Sequence, residues 1–243
     1  MLKFKYERPF RQLKPYHGIL VFVLEIIAFL SIMVPLQMKF GMYGVALTEL
    51  LLLLIAVGYT LLLKADFKKV FPIKRIQTSE LFGTFVLWLC TFIMVLVLTL
   101  IIAYFFPKEI FGVSSGLTDV ISSVPFGMSL LISVIMPAVC EEALHRGVIL
   151  HSMLPINRKW MIVVCMGIIF GIFHMDPWRF VPTAILGGTL SYVMLETGNI
   201  IYPMLLHGIN NFVPLIISFA TGNYIDETGM GESFAQTGVP LAS

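Results

Sequence analysis

Residues 137–146 read Pro137-Ala138-Val139-Cys140-Glu141-Glu142-Ala143-Leu144-His145-Arg146. They lie inside an apolar segment that runs from Ser129 to Leu150. In a bilayer each of these charges costs roughly 2.5–3.5 kcal/mol on insertion scales, unless it is paired or wetted. On a helix Glu142 and Arg146 are four apart and share a face, and so do Glu141 and His145. The two carboxylates point about 100° apart around the helix axis. One carboxylate can hold the arginine while the other faces a cavity. That arrangement provides a reactive acid and the group that supports it.

The rest of the chain agrees with a membrane setting. Of its 243 residues 58% are hydrophobic and only 12% charged, and the mean hydropathy is +0.93. A soluble domain normally carries about 25% charged residues. The composition predicts an all-α, polytopic transmembrane helix bundle, a single membrane domain over 1–243. Cys90, Cys140 and Cys165 all fall in apolar segments and are odd in number, which points to buried small hydrophobes rather than a disulfide framework.

Seven spans are expected, with six and eight as the bounds. They are 18–36, 43–63, 81–106, 129–150, 160–173, 181–195 and 200–219. The first follows a basic head (Lys3, Lys5, Arg8, Arg11, Lys14) and continues too far for a cleaved signal peptide, so it reads as an uncleaved anchor. It carries Glu25, a candidate for a supporting role in the cavity. Lys39-Phe40-Gly41 makes a tight turn. Residues 107–126, broken by Gly112, Gly116 and Pro125, predict a loop with a short interfacial helix. Pro137 is expected to disturb the helix just ahead of the acids. Gly187-Gly188 is a point of close helix contact. From residue 221 an acidic, Gly-rich tail is expected to be loose. The final residues, Gly238 to Ser243, contain no prenylation box.

Loop charge fixes an expected orientation. The head, the 64–80 connector and Arg158-Lys159 hold twelve of the sixteen Lys and Arg residues. The positive-inside rule then places the N-terminus and these loops in the cytoplasm of a multi-pass cell-membrane protein.

At a rise of about 1.5 Å per residue, Glu141, His174, His207 and Asn211 lie about 12–22 Å from the cytoplasmic surface. Three non-adjacent helices thus bring polar groups to one level. His207 and Asn211 are four apart on one face. His145 is either a supporting base or a polar residue of the helix end. The sequence has no His-Glu-x-x-His, no Gly-x-Ser-x-Gly elbow, no Walker loop and no Rossmann fingerprint. Basic residues are confined to membrane-adjacent loops, so nucleic-acid binding is a poor explanation. The surviving chemistry is carboxylate plus histidine acting on water.

Glu141-Glu142-x-x-x-Arg146, Phe170-x-x-x-His174 and His207-x-x-x-Asn211 occur in this order within about residues 129–215. They resemble the three motifs of the CAAX protease and bacteriocin-processing (Abi) family, intramembrane endopeptidases that include the type II CAAX prenyl endopeptidases. The helices at 18–106 resemble that family only in spanning a membrane. The resemblance implies that Glu141 activates water with His174, and that Glu142 and Arg146 support the site. It also implies that His207 and Asn211 stabilise the oxyanion. The implied partners are the bilayer and a peptide or protein substrate, membrane-associated or lipidated. No cofactor is favoured, although a Glu/His/His set also serves zinc. The competing classes are a membrane carrier with a buried Glu/His relay and a non-catalytic immunity or scaffold protein.

Overall fold

A computed structural model describes residues 12–228, with side chains as far as residue 220. All elements among the described residues are helices: α1 (Pro15–Phe40), α2 (Met42–Leu62), the single turn α3 (Phe67–Val70), α4 (Thr78–Phe105), α5 (Pro107–Ser122), α6 (Phe126–Ile156), α7 (Lys159–Phe173), α8 (Pro177–Thr197) and α9 (Ile201–Thr228). Of the basic head only Lys14 is described, and Lys3, Lys5, Arg8 and Arg11 lie outside. Helix α9 runs to Thr228, beyond the expected start of a loose tail at 221. Residues 229–243, with Glu232, lie outside the described residues.

Five helices are long and apolar enough to cross a bilayer: α1, α2, α4, α6 and α9 over Ile201–Ala220. The other two expected spans are present as helices but do not meet that measure. Helix α7 is apolar but has only 15 residues. Helix α8 has 21 residues, but Arg179, Pro182, Thr183 and Gly187-Gly188 interrupt its apolar run.

Residues 107–122 form one continuous 16-residue helix, longer than the short helix expected within a loop. Pro107 starts it, since a missing N–H costs nothing in the first turn. Gly112 and Gly116 sit over open space, so they mark an exposed face rather than breaks. Leu117 and Ile121 pack instead against Val134 of α6 and Leu215 and Phe219 of α9.

The turns follow the residues that permit them. Gly41 ends α1 at φ +55° and Gly198 ends α8 at φ +56°, both left-handed values that glycine adopts cheaply. Asp176 opens α8 by accepting the N–H groups of Trp178 and Arg179. One end of the bundle collects the basic connector and two other turns. The Asn199 side chain bonds the backbone of Lys74 in both directions. Tyr202 bonds the Gln77 backbone, and Lys159 pairs with Glu196. The 64–80 connector and the Arg158-Lys159 turn, two of the three stretches that carry the expected inside charges, therefore share one end of the bundle.

Helix α6 lies in the interior. Fifty-six per cent of its most apolar window is buried, against 11% for α4, which identifies α4 as largely lipid-facing. Helices α1, α2 and α9 pack around α6. Helix α6 contains two stretches of wide, π-type turns, Leu131–Ile135 and Ala143–Ile149, and α1 contains one, Phe29–Met33. The first two of these sites in chain order, in α1 and α6, lie just ahead of Pro35 and Pro137. A proline lacks the N–H and its ring crowds the carbonyl four residues back, and a widened turn relieves that clash. The expected disturbance before the acids is therefore a change of helical register.

Helices α7 and α8 form the tightest pair. A Cβ on Gly187 would fall 2.5 Å from the Phe170 Cβ, and one on Gly167 would fall 2.6 Å from the Ala184 carbonyl oxygen. Any side chain there would force the helices apart. The close approach that Gly187 predicts is thus present, and it brings the α8 backbone up to α6.

Candidate active site

Buried acids are the first feature of the site. Glu141 is 7% exposed, and Glu142, His145 and Arg146 are fully buried. A buried charge must find partners or it destabilises the fold. Arg146 Nη1 donates to Glu142 Oε1 at 2.7 Å, the expected i,i+4 pair. Nη2 donates to the Gly187 carbonyl at 2.8 Å. The same carbonyl accepts the Ser191 hydroxyl at 2.8 Å. The guanidinium carbon lies 4.5 Å from the centre of the Phe170 ring, a cation–π distance. Arg146 therefore joins α6, α7 and α8. Only its pairing with Glu142 was legible from sequence spacing. The Gly187 carbonyl was not, because a backbone acceptor has no residue signature.

His207 of α9 completes this cluster. Its Nδ1 is 2.9 Å from Glu142 Oε1. An ionised carboxylate only accepts, so Nδ1 carries the hydrogen. Nε2 then faces Glu141 Oε2 at 4.0 Å, too far for a direct hydrogen bond. That Glu141 oxygen has no hydrogen-bond partner among the described residues. Glu142 thus accepts from Arg146 and from His207 on one oxygen, while Glu141 keeps an open oxygen beside the imidazole.

His174 lies just past the end of α7 and is half-buried. Its Nδ1 donates to the Phe170 carbonyl at 2.8 Å, which leaves Nε2 as an acceptor on the neutral ring. The Phe170 ring links the two histidines edge-on, with centroids 4.7 Å from His174 and 5.8 Å from His207. Arg179 and His207 lie within electrostatic range of His174. Phe170 is the fixed element of the Phe-x-x-x-His motif, and here it supports three site residues.

Asn211 does not point with His207 at a common target. Its Nδ2 donates to the Ser133 carbonyl of α6 at 3.2 Å. Pro137 stands four residues after Ser133 and has no N–H to offer that carbonyl. The proline in α6 therefore supplies the acceptor that fixes the asparagine of α9. His145 bonds the Glu141 backbone rather than its carboxylate. Its Nδ1 donates to the Glu141 carbonyl at 2.9 Å.

The donors suit zinc in type, but they do not converge. Among the described residues no group of three or more His, Cys, Asp and Glu side chains has the spacing to hold a metal ion.

Two apolar grooves flank these residues. The larger, about 640 Å³, lies between α7 and α8 and includes Val164, Gly167, Ala184 and Tyr192, but none of the candidate residues. The smaller, about 400 Å³, lies between α6 and α9. Its lining includes Val134, Ala138, Gly208 and Phe212, the last two adjacent in sequence to His207 and Asn211.

Comparison with known proteins bears on the same stretch. The family model "Type II CAAX prenyl endopeptidase Rce1-like" matches residues 123–213. This span includes Glu141, Glu142, Arg146, His174, His207 and Asn211 and excludes α1 and α2. The match supports the CAAX protease and bacteriocin-processing family for this part of the chain. Curated proteins and solved structures give no match.

Proposed function

We propose that this multi-pass membrane protein is an intramembrane endopeptidase in which Glu141 activates water. The observation that carries the reading is the open, buried Glu141 oxygen beside His207, inside the stretch that matches the family. An unpartnered carboxylate oxygen in a dry interior is costly. A water to be deprotonated would relieve that cost.

The reaction follows from the donors and acceptors. Glu141 takes a proton from water as the water oxygen attacks the peptide carbonyl carbon. The carbonyl π electrons move to oxygen and form the tetrahedral oxyanion. His207, with Nδ1–H held by Glu142, serves as oxyanion donor when Nε2 is also protonated. Asn211 adds a second donor after turning from the Ser133 carbonyl. The proton held by Glu141 passes to the leaving amine, directly or through the free Nε2 of His174. The C–N bond then breaks, and a carboxylic acid and an amine leave. The α6–α9 groove gives an apolar approach beside the site, suited to a membrane-associated or lipidated peptide.

The test is turnover of one defined peptide by purified protein in liposomes, before and after exhaustive chelation, with metal content measured. Cleavage that survives chelation is expected. Loss of cleavage that zinc restores would replace this mechanism with a metal-dependent one. Solute uptake without cleavage would favour the carrier class, and binding with neither would favour the immunity or scaffold class.

The chain then crosses the membrane seven times from a cytoplasmic N-terminus, with α7 and α8 as the two crossings that are short or less apolar. Lys68 and Lys69 should then react with a membrane-impermeant amine reagent only in inside-out vesicles. Labelling in intact cells would reverse the orientation.

A further inference from the structure

Two buried carboxylates have no part in the reaction above. Glu25 of α1 is 0% exposed and Glu49 of α2 is 4% exposed. Both lie within electrostatic range of Glu141, and Glu49 also of Cys140. Neither oxygen of Glu25 has a hydrogen-bond partner among the described residues, and nor does Oε2 of Glu49. These helices lie outside the family match, so the match assigns them no role.

His145 lies against Glu25. Its Nε2 is 3.3 Å from Glu25 Oε1, within ion-pair distance, yet Nε2 makes no aligned hydrogen bond. The ring is walled by Phe170 and Phe173, with centroids 5.2 and 5.1 Å away. Its other nitrogen is committed to the Glu141 carbonyl. A carbonyl has no hydrogen to give, so Nδ1 carries one, and Nε2 of the neutral ring is an acceptor. An ionised Glu25 is also an acceptor. Two acceptors cannot face each other at this distance in a dry interior without a hydrogen between them. A carboxylic acid donating to a neutral ring meets that need without burying a separated charge pair.

We propose that Glu25 is a positioning residue for Glu141: its carboxyl group donates to His145 Nε2, and the ring so fixed holds the Glu141 carbonyl through Nδ1–H. The place matters because Glu141 stands where the α-helical turn of 136–142 passes into the wide turns of 143–149. A carbonyl at such a junction needs an anchor if its side chain is to keep one direction. The inference rests on Glu141 being the reactive carboxylate.

Two variants in the full-length protein separate the roles. Glu25→Met keeps the volume, removes the donor and leaves no charge in an apolar pocket, so the fold should persist. It should lower kcat by about 10–100-fold, the scale of a small misplacement of reacting groups, with KM nearly unchanged. Glu25→Gln supplies an N–H to Nε2 and should recover most of that loss. Selective ¹⁵N labelling of histidine supplies a readout that needs no turnover. His145 should be an Nδ1–H tautomer in all three proteins, because the Glu141 carbonyl stays; its Nε2 should show the ¹⁵N shift of a hydrogen-bonded acceptor in the wild type and in Glu25→Gln, and that of an unbonded ring nitrogen in Glu25→Met. Wild-type kcat in Glu25→Met, or an unchanged Nε2 shift there, would overturn the proposal. Glu25→Gln as slow as Glu25→Met would also overturn it, because an exchanging proton rather than a hydrogen-bond donor would then be required. If the wild type cleaves no peptide, the endopeptidase reading fails alone, and the Nε2 shift still decides the role of Glu25.

Discussion

Glu141→Ala is expected to reduce peptide turnover to background while the protein remains folded. Glu141 Oε2 has no hydrogen-bond partner among the described residues, so removing it breaks no bond at that atom. The His145 contact goes to the Glu141 backbone carbonyl, which alanine retains. Losing a positioned general base typically costs about 10²–10⁴-fold in rate. Glu141→Gln has nearly the same shape but cannot take a proton, and it should be equally slow. His174→Ala should fall to a similar level. Asn211→Ala removes an oxyanion donor together with its resting bond to the Ser133 carbonyl and should lose about 10²–10³-fold in kcat with substrate binding kept. The check is kcat and KM for one peptide across the four variants, beside thermal melts in detergent. Wild-type turnover in Glu141→Ala would end the mechanism. An Asn211 variant that loses binding rather than rate would move that residue from oxyanion to substrate.

The ordering of these variants depends on residues whose legibility differed. Glu142 and Arg146 could be paired from their spacing alone, because an i,i+4 ion pair is a property of one helix. The helices of α7 and α8 and the close approach at Gly187 could also be read locally. The full extent of the helix at 107–122 could not. Glycines there weaken a helix only by propensity, and packing of Leu117 and Ile121 against α6 and α9 overrides that cost. The contacts from Arg146 to Gly187, from Asn211 to Ser133 and from His145 to Glu25 were equally hidden. Two of these end on backbone carbonyls, and all three join helices far apart in the chain. Pro137 was legible as a disturbance, but its consequence lies on α9. It leaves a carbonyl without its usual donor, and the sequence does not say which side chain will supply a hydrogen.

Arg146→Ala is expected to cost the fold as well as the activity, and this separates it from Glu141→Ala. The guanidinium is fully buried and bonded to a carboxylate on α6 and a carbonyl on α8, and it lies against the Phe170 ring. Removing one partner of a buried pair typically costs about 3–5 kcal/mol, because the other charge is stranded. Glu142 would keep only His207 on Oε1, and its Oε2 is already without a partner. Folded yield by size exclusion and the melting temperature should both fall. Arg146→Lys should rescue little, since a single ammonium cannot span both acceptors as a planar fork does. The informative variant is the double change Glu142→Gln with Arg146→Met, which removes both charges together. If the loss in Arg146→Ala comes from a stranded carboxylate, the double variant should melt higher than Arg146→Ala. A double-mutant cycle built on it would give the coupling directly. The double variant should still be slow, because a neutral amide no longer orients or balances the His207 ring. A melting temperature unchanged in Arg146→Ala would show that Glu142 is held by other means. Wild-type turnover in the double variant would remove Glu142 from the mechanism and leave Glu141 and the two histidines to carry it.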